Sequence, residues 1–176
     1  MNNFTPDCLI SEEDISLRLN DLARAINDDF DGEEVTVICV LKGAFMFCSD
    51  LIKKINLPLK LEFMDLSSYG DSMNSSGEVK LNLDIESQIQ NKNVIIVEDI
   101  VDSGLTMKFL LETLKFRKPK KIKLASLLYK PAKNKFKIDI DYLGFEIDDK
   151  FVVGYGLDYA GRYRELPYIG VLNAGN

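Results

Sequence analysis

Apolar positions recur at two different spacings along the chain, and the way those spacings alternate predicts the fold class. Ile15, Leu19, Leu22 and Ile26 step by four, three and four residues, which puts one apolar stripe on a helix. Ser11-Glu12-Glu13-Asp14 reads as the start of that helix, with Ser11 as cap and acids where the helix dipole favours negative charge. Asp31-Gly32 ends it. Residues 35–41 and 94–97 are short apolar runs rich in β-branched side chains and read as buried strands. Further strands are expected at 59–67, 79–83, 121–128, 140–143 and 151–153, and further helices at 44–55 and 105–116. The stretch 68–77 is small and polar and reads as a mobile loop. Strands alternating with helices predict an α/β fold with a mostly parallel sheet, in one domain over residues 1–176. In such sheets ligands bind beyond the carboxyl ends of the strands. The residues just after the apolar runs are therefore the ones to read for chemistry.

Composition narrows that chemistry. The chain has no histidine, which excludes Ser-His-Asp hydrolysis, Cys-His proteolysis and histidine-ligated zinc. Cys8, Cys39 and Cys48 form no CxxC pair and are expected to be free thiols in a reducing compartment. A metal held here must rely on carboxylates, which points to a hard ion such as magnesium. The net charge of −6 argues against nucleic-acid or anionic-membrane partners. No signal-like start or membrane-length apolar run is present, so the expected location is cytoplasmic.

The densest cluster of candidate residues follows the run at 94–97. Glu98, Asp99 and Asp102 crowd one strand end, and Ser103, Gly104 and Thr106 offer hydroxyls and a flexible backbone at a helix start. Neighbouring strand residues point to opposite faces, so Glu98 and Asp99 would meet a ligand from two sides. A helix N-terminus beyond them favours a phosphate. The same residues also fit a capped helix with solvated acids. No GxxxxGK[ST] loop is present, and Gly154-Tyr155-Gly156 lacks the third glycine of a GxGxxG turn.

The segment Val97-Glu98-Asp99-Ile100-Val101-Asp102-Ser103-Gly104-Leu105-Thr106 resembles the phosphoribosyl pyrophosphate signature of type I phosphoribosyltransferases. Leu41-Lys42-Gly43, Ser68-Tyr69, the run from Ala125 to Lys130, the run from Lys150 to Tyr159, and Arg164 follow the order of the bacterial hypoxanthine-guanine branch. The resemblance implies a central sheet flanked by helices, a mobile lid carrying Ser68 and Tyr69, and a small hood. It implies that Glu98 and Asp99 meet the ribose hydroxyls and magnesium, and that Asp102 is a general base near purine N7 or N9. Residues 102 to 106, Leu105 included, would hold the 5-phosphate. Lys42, Gly43 and Arg164 would hold pyrophosphate, with a cis bond expected before Lys42. Lys130 would donate to the purine 6-oxo group, Phe151 would stack on the ring, and Val152 and Asp158 would read its edge through main-chain groups. Asp158 would also touch a second magnesium.

The implied substrates are hypoxanthine, guanine and phosphoribosyl pyrophosphate, and the implied assembly is a homodimer or homotetramer. The apolar tail 168–172 fits either a core or an interface. Two readings compete. One is another enzyme of the same fold acting on adenine, orotate or xanthine, against which Lys130 and the segment from Phe151 to Asp158 argue. The other is a regulator of the same fold that binds nucleotides and nucleic acid, which would need a basic surface that this acidic chain does not supply.

Overall fold

Helix α1 (Glu12–Phe30) forms where the apolar stripe places it, and Ile15, Leu19, Leu22 and Ile26 are all buried. Ser11 caps it: the Ser11 hydroxyl accepts from the Asp14 amide at 3.1 Å, and the Asp14 carboxylate accepts from the Ser11 amide. Asp31, in the left-handed region at φ 42°, ends the helix. The computed structural model describes residues 5–68 and 79–172.

The main sheet has six strands. They are β2 (Val35–Leu41), β3 (Leu59–Ser68), β4 (Val79–Leu83), β5 (Asn93–Val101), β6 (Lys121–Tyr129) and β7 (Tyr142–Glu146), in the order β4-β3-β2-β5-β6-β7. All neighbours pair in parallel except β3 and β4. Parallel strands are buried on both faces, which explains the unbroken apolar runs in β2 and β5. Helices α1 and α2 (Phe45–Ile52) pack with Ile95 and Val97 on one face. Helix α3 (Leu105–Lys115), with Ile85 and Ile89, covers Val94 and Ile96 on the other. β5 runs past its apolar stretch, so Glu98 and Asp99 are still strand residues.

A second, antiparallel sheet joins the two ends of the described chain in the order β1-β9-β8, from Asp7–Ile10, Ile169–Val171 and Val152–Val153. It forms the hood. Ile169 is fully buried there, so this part of the tail belongs to the chain's own core.

Besides β5, which runs on to Val101, two boundaries differ by more than a residue from the sequence reading. The helix expected over 44–55 stops at Ile52. The amides of Lys54 and Ile55 bond three residues back, and the Asn27 side chain captures the Asn56 amide at 2.8 Å. The strand expected at 140–143 lies later, as β7. The Asp141 carboxylate is engaged by the Leu124 amide and by Lys123, and the ladder begins at the next residue. Of the expected lid, Ser68 is the last residue of β3, and Tyr69 lies outside the described residues.

Candidate active site

Three parallel strands deliver the candidate residues to one end of the sheet. β2 ends at the Lys42-Gly43 turn, β5 at Glu98 to Asp102, and β6 at Lys130. The Lys130 amide donates to the Val101 carbonyl at 3.0 Å, which ties the last two together.

Glu98 and Asp102 line a small cavity of about 70 Å³ with Ser103, Gly104, Thr106 and Met107. Glu98 is buried and its Oε2 has no hydrogen-bond partner among the described residues; the same holds for Asp102 Oδ1. Buried polar atoms are normally paired, so two unpaired carboxylate oxygens in one cavity mark it as a ligand site. Burial, with the charge of Asp99 beside it, holds the Glu98 carboxyl well above the ordinary range. The cavity wall is completed by the start of α3. Gly104 stands before it at φ 83°, and the Ser103 hydroxyl accepts from the Leu105 amide at 3.3 Å. The first amides of a helix have no partner within it, and here they belong to the segment that lines the cavity.

Asp99 meets the site from the opposite face of β5. Its carboxyl, pushed up to about 6 by burial against the opposing pull of the Ile100 amide and Arg164, lies against Gly43. A β-carbon on Gly43 would lie 1.4 Å from Asp99 Oδ2, and one on Gly156 would lie 2.1 Å from the Gly43 carbonyl oxygen. Only bare backbone fits at either position. The Leu41-Lys42 bond is cis, as the resemblance implies. Arg164 extends this stack: its guanidinium donates to the Gly156 carbonyl and pairs with Asp158, whose carboxylate also accepts from the Gly161 amide. Lys42, Gly43, Asp99, Asp158 and Arg164 are thus gathered by contact with one another or through Gly156.

The remaining candidates form a separate wall. Lys130 is buried, with its ammonium 3.6 Å from Asp149. Phe151 is 54% exposed, unusual for an aromatic at a strand start, and its ring meets the Tyr159 ring edge-on at 5.6 Å. Val152 beside it is buried in β8. Among the described residues, Glu98, Asp99 and Asp158 do not converge into one ligand cage. Magnesium keeps several waters and takes other oxygens from phosphate, so one or two carboxylates are enough for it. An all-carboxylate donor set that includes an unpaired buried oxygen fits such an ion.

The sequence reading did not single out Gly156, Lys133 or Asp149 as site residues. Two glycines flanking Tyr155 were a usable signal, since residues 154 to 156 all take positive φ. The lysine and the aspartate carry no local signal.

Residues 11–160 match the family model described as phosphoribosyl transferase domain. The chain is 50% identical over 164 residues to a hypoxanthine-guanine phosphoribosyltransferase of Bacillus subtilis, covering 93% of this chain and 91% of that protein. It is 45% identical over 172 residues to a bifunctional protein TilS/HprT of Listeria monocytogenes, covering 98% of this chain but only 26% of that protein. The chain therefore spans about a quarter of the length of these bifunctional relatives. A crystal structure of a hypoxanthine-guanine phosphoribosyltransferase from Bacillus anthracis superposes with a TM-score of 0.91 at 47% identity, covering 95% of this chain and 98% of that one.

Proposed function

The chain belongs to the hypoxanthine-guanine phosphoribosyltransferase family, and we propose that it transfers ribose 5-phosphate from phosphoribosyl pyrophosphate to hypoxanthine or guanine. The products are IMP or GMP and pyrophosphate. The observation that carries this reading is the pair of buried, unpaired carboxylate oxygens of Glu98 and Asp102 in one cavity at the start of α3. A phosphorylated sugar brings hydroxyl donors for the carboxylates and an anion for the helix start.

In this reading the 5-phosphate lies on the backbone and hydroxyls of residues 102 to 106, and the ribose hydroxyls face Glu98 and Asp99. Lys42, the Gly43 backbone and Arg164 hold the pyrophosphate. The purine stacks on Phe151, offers its 6-oxo group to Lys130, and has its edge read by main-chain groups of Val152 and Asp158. As the bond from C1 to pyrophosphate breaks, positive charge builds on the ribose, and the carboxylates of Glu98 and Asp99 favour it. The purine nitrogen forms the new bond to C1, and Asp102 takes the proton that the purine loses, at N7 or N9. A lid containing Ser68 and Tyr69 keeps water from the sugar centre.

Glu98, Asp99 and Asp158 are the residues that would hold magnesium. The chemistry it supplies when bound is neutralisation of the pyrophosphate oxygens.

We further read the enzyme as a cytoplasmic homodimer or homotetramer. No helix among the described residues is long and apolar enough to cross a membrane. Leu61 and Phe63 stand exposed on one side of β3, and covering them would favour self-association. Sedimentation of the purified protein tests the assembly.

The activity is tested by steady-state kinetics with hypoxanthine, guanine, xanthine and adenine at fixed phosphoribosyl pyrophosphate and magnesium. Hypoxanthine and guanine should be converted and adenine should not. Inertness toward both 6-oxopurines would refute the reading.

A further inference from the structure

Past the end of β6 the chain makes one 3-10 turn, Pro131–Lys133, with the Lys133 amide donating to the Lys130 carbonyl at 3.2 Å. Lys130 stands just before the turn in an extended conformation and Lys133 is its last residue. Both ammonium groups converge on one carboxylate oxygen, Asp149 Oδ1. Lys133 lies 2.9 Å from it and Lys130 3.6 Å. Lys133 also reaches Asp102 Oδ2, at 3.8 Å. Asp149 sits two residues before Phe151 in a turn closed by the bond from the Lys150 amide to the Asp148 carbonyl.

We propose that Asp149 is a positioning residue that aims Lys130 at the 6-oxo edge of the purine and thereby sharpens rejection of 6-aminopurines, with Lys133 as its anchor. This rests on the reading of Lys130 and Phe151 given above. The cluster joins the two walls of the base pocket, because Lys130 comes from the end of β6 and Asp149 from the turn that carries Phe151.

The distances divide the work between the two lysines. Asp149 spends its close contact on Lys133, which is half exposed and free to adjust. The side chain of Lys130 is 8% exposed, and its one ion-pair partner among the described residues is Asp149, held just beyond hydrogen-bond distance. A buried cation without counter-charge is costly. A counter-charge in full contact would compete with the substrate for the ammonium's hydrogens. The observed spacing avoids both. The hydrogen bond from Lys133, with the charges of both lysines, holds the Asp149 carboxyl below its ordinary range, so the anchor stays ionised at neutral pH.

Without Asp149, the long stem of Lys130 can carry its head toward water, and the 6-oxo contact is lost. An amino group at C6 sets donor against donor. The penalty for adenine depends on the ammonium being held in place, and a loosened lysine relaxes it.

The test is steady-state kinetics of Asp149→Asn, Asp149→Glu and Lys133→Met with hypoxanthine, guanine and adenine varied at saturating phosphoribosyl pyrophosphate and magnesium, and with phosphoribosyl pyrophosphate varied at saturating hypoxanthine, alongside thermal unfolding. Asp149→Asn should raise KM for hypoxanthine about tenfold or more, lower kcat less than about threefold, and leave KM for phosphoribosyl pyrophosphate within about twofold. The preference for hypoxanthine over adenine should narrow about tenfold. Asp149→Glu should recover most of both losses, and Lys133→Met should show the same changes in weaker form.

An Asp149→Asn enzyme whose hypoxanthine KM and adenine discrimination match the wild type overturns the proposal. So does an equal rise in both substrates' KM, which would mean general loosening. Should Asp149→Asn fail to fold, unchanged purine KM and discrimination in Lys133→Met overturn it equally. A wild-type protein inactive on both 6-oxopurines would instead refute the parent reading.

Discussion

The carboxylate of Asp99 occupies the space that a side chain on Gly43 would need, so the end of β5 and the turn after β2 are locked by the absence of one carbon. Gly156 repeats the device on the far side, against the Gly43 carbonyl. The proposed pyrophosphate turn is thus clamped between an acid and a second bare backbone.

Gly43→Ala should therefore damage function more than stability. The added methyl must displace Asp99, at a cost of about 1–3 kcal/mol for overpacking. Misplacing substrate-holding groups by about 1 Å costs on the order of 100-fold in rate. The expected result is a fold that persists with a lowered Tm and kcat/KM for phosphoribosyl pyrophosphate reduced about 100-fold. Near-normal kinetics would show that the Asp99 orientation is dispensable.

Asp102→Asn removes the proposed proton acceptor while preserving shape. Turnover should fall by about 10²–10⁴, the range for loss of a positioned general base. The Kd for product nucleotide, measured by calorimetry, should change by no more than a few-fold. Turnover close to wild type would reassign the base.

Glu98 sets stability against activity. Its carboxyl is buried with one oxygen unpaired and is held well above its ordinary range by burial. Glu98→Gln removes a group whose ionised form this site disfavours and should raise the Tm of the free protein at pH 7. Turnover should drop in the same variant. Thermal unfolding without ligands or metal, followed by kinetics, checks both. A lowered Tm would contradict the first expectation.

A surface pair gives a pH signature of opposite kind. The Arg117 guanidinium, 2.7 Å from Asp84, holds that carboxyl below its ordinary value of 3.8, helped by the Ile85 amide. A lowered value in the folded state means stability that is present above pH 3.8 and lost as pH falls through the lower folded value. Because the pair is part-exposed, Asp84→Asn should cost only about 0.5 kcal/mol at pH 7. The difference from wild type should vanish once pH falls below the lowered folded value. Denaturation of both proteins across that range gives the comparison, and a gap that widens in acid would reverse the assignment.

Local pattern carried the reading wherever a segment's neighbours in sequence decide its environment. The α1 stripe and Ser11 cap, and the apolar runs of β2 and β5, stand as expected because each is long or strongly patterned. β1 and β9 are four and three residues long and pair across almost the whole chain. Segments that short hold no readable period. The acid cluster was found from its place after a strand. The split of Glu98 and Asp99 between two faces followed from strand geometry alone. The convergence of Lys130 and Lys133 on Asp149 depends on a single 3-10 turn and a loop from elsewhere, so no local spacing announces it.

The pairing of Asp7 with Val171 means that the hood sheet cannot form until both of these distant segments are present. The proposed sugar-phosphate cradle uses residues that emerge well before, whereas β8, next to Phe151, waits for β9 before it has a strand partner. A growing chain would complete the acid-lined end of β5 first and gain support for the segment that carries Phe151 only once residue 171 has been added.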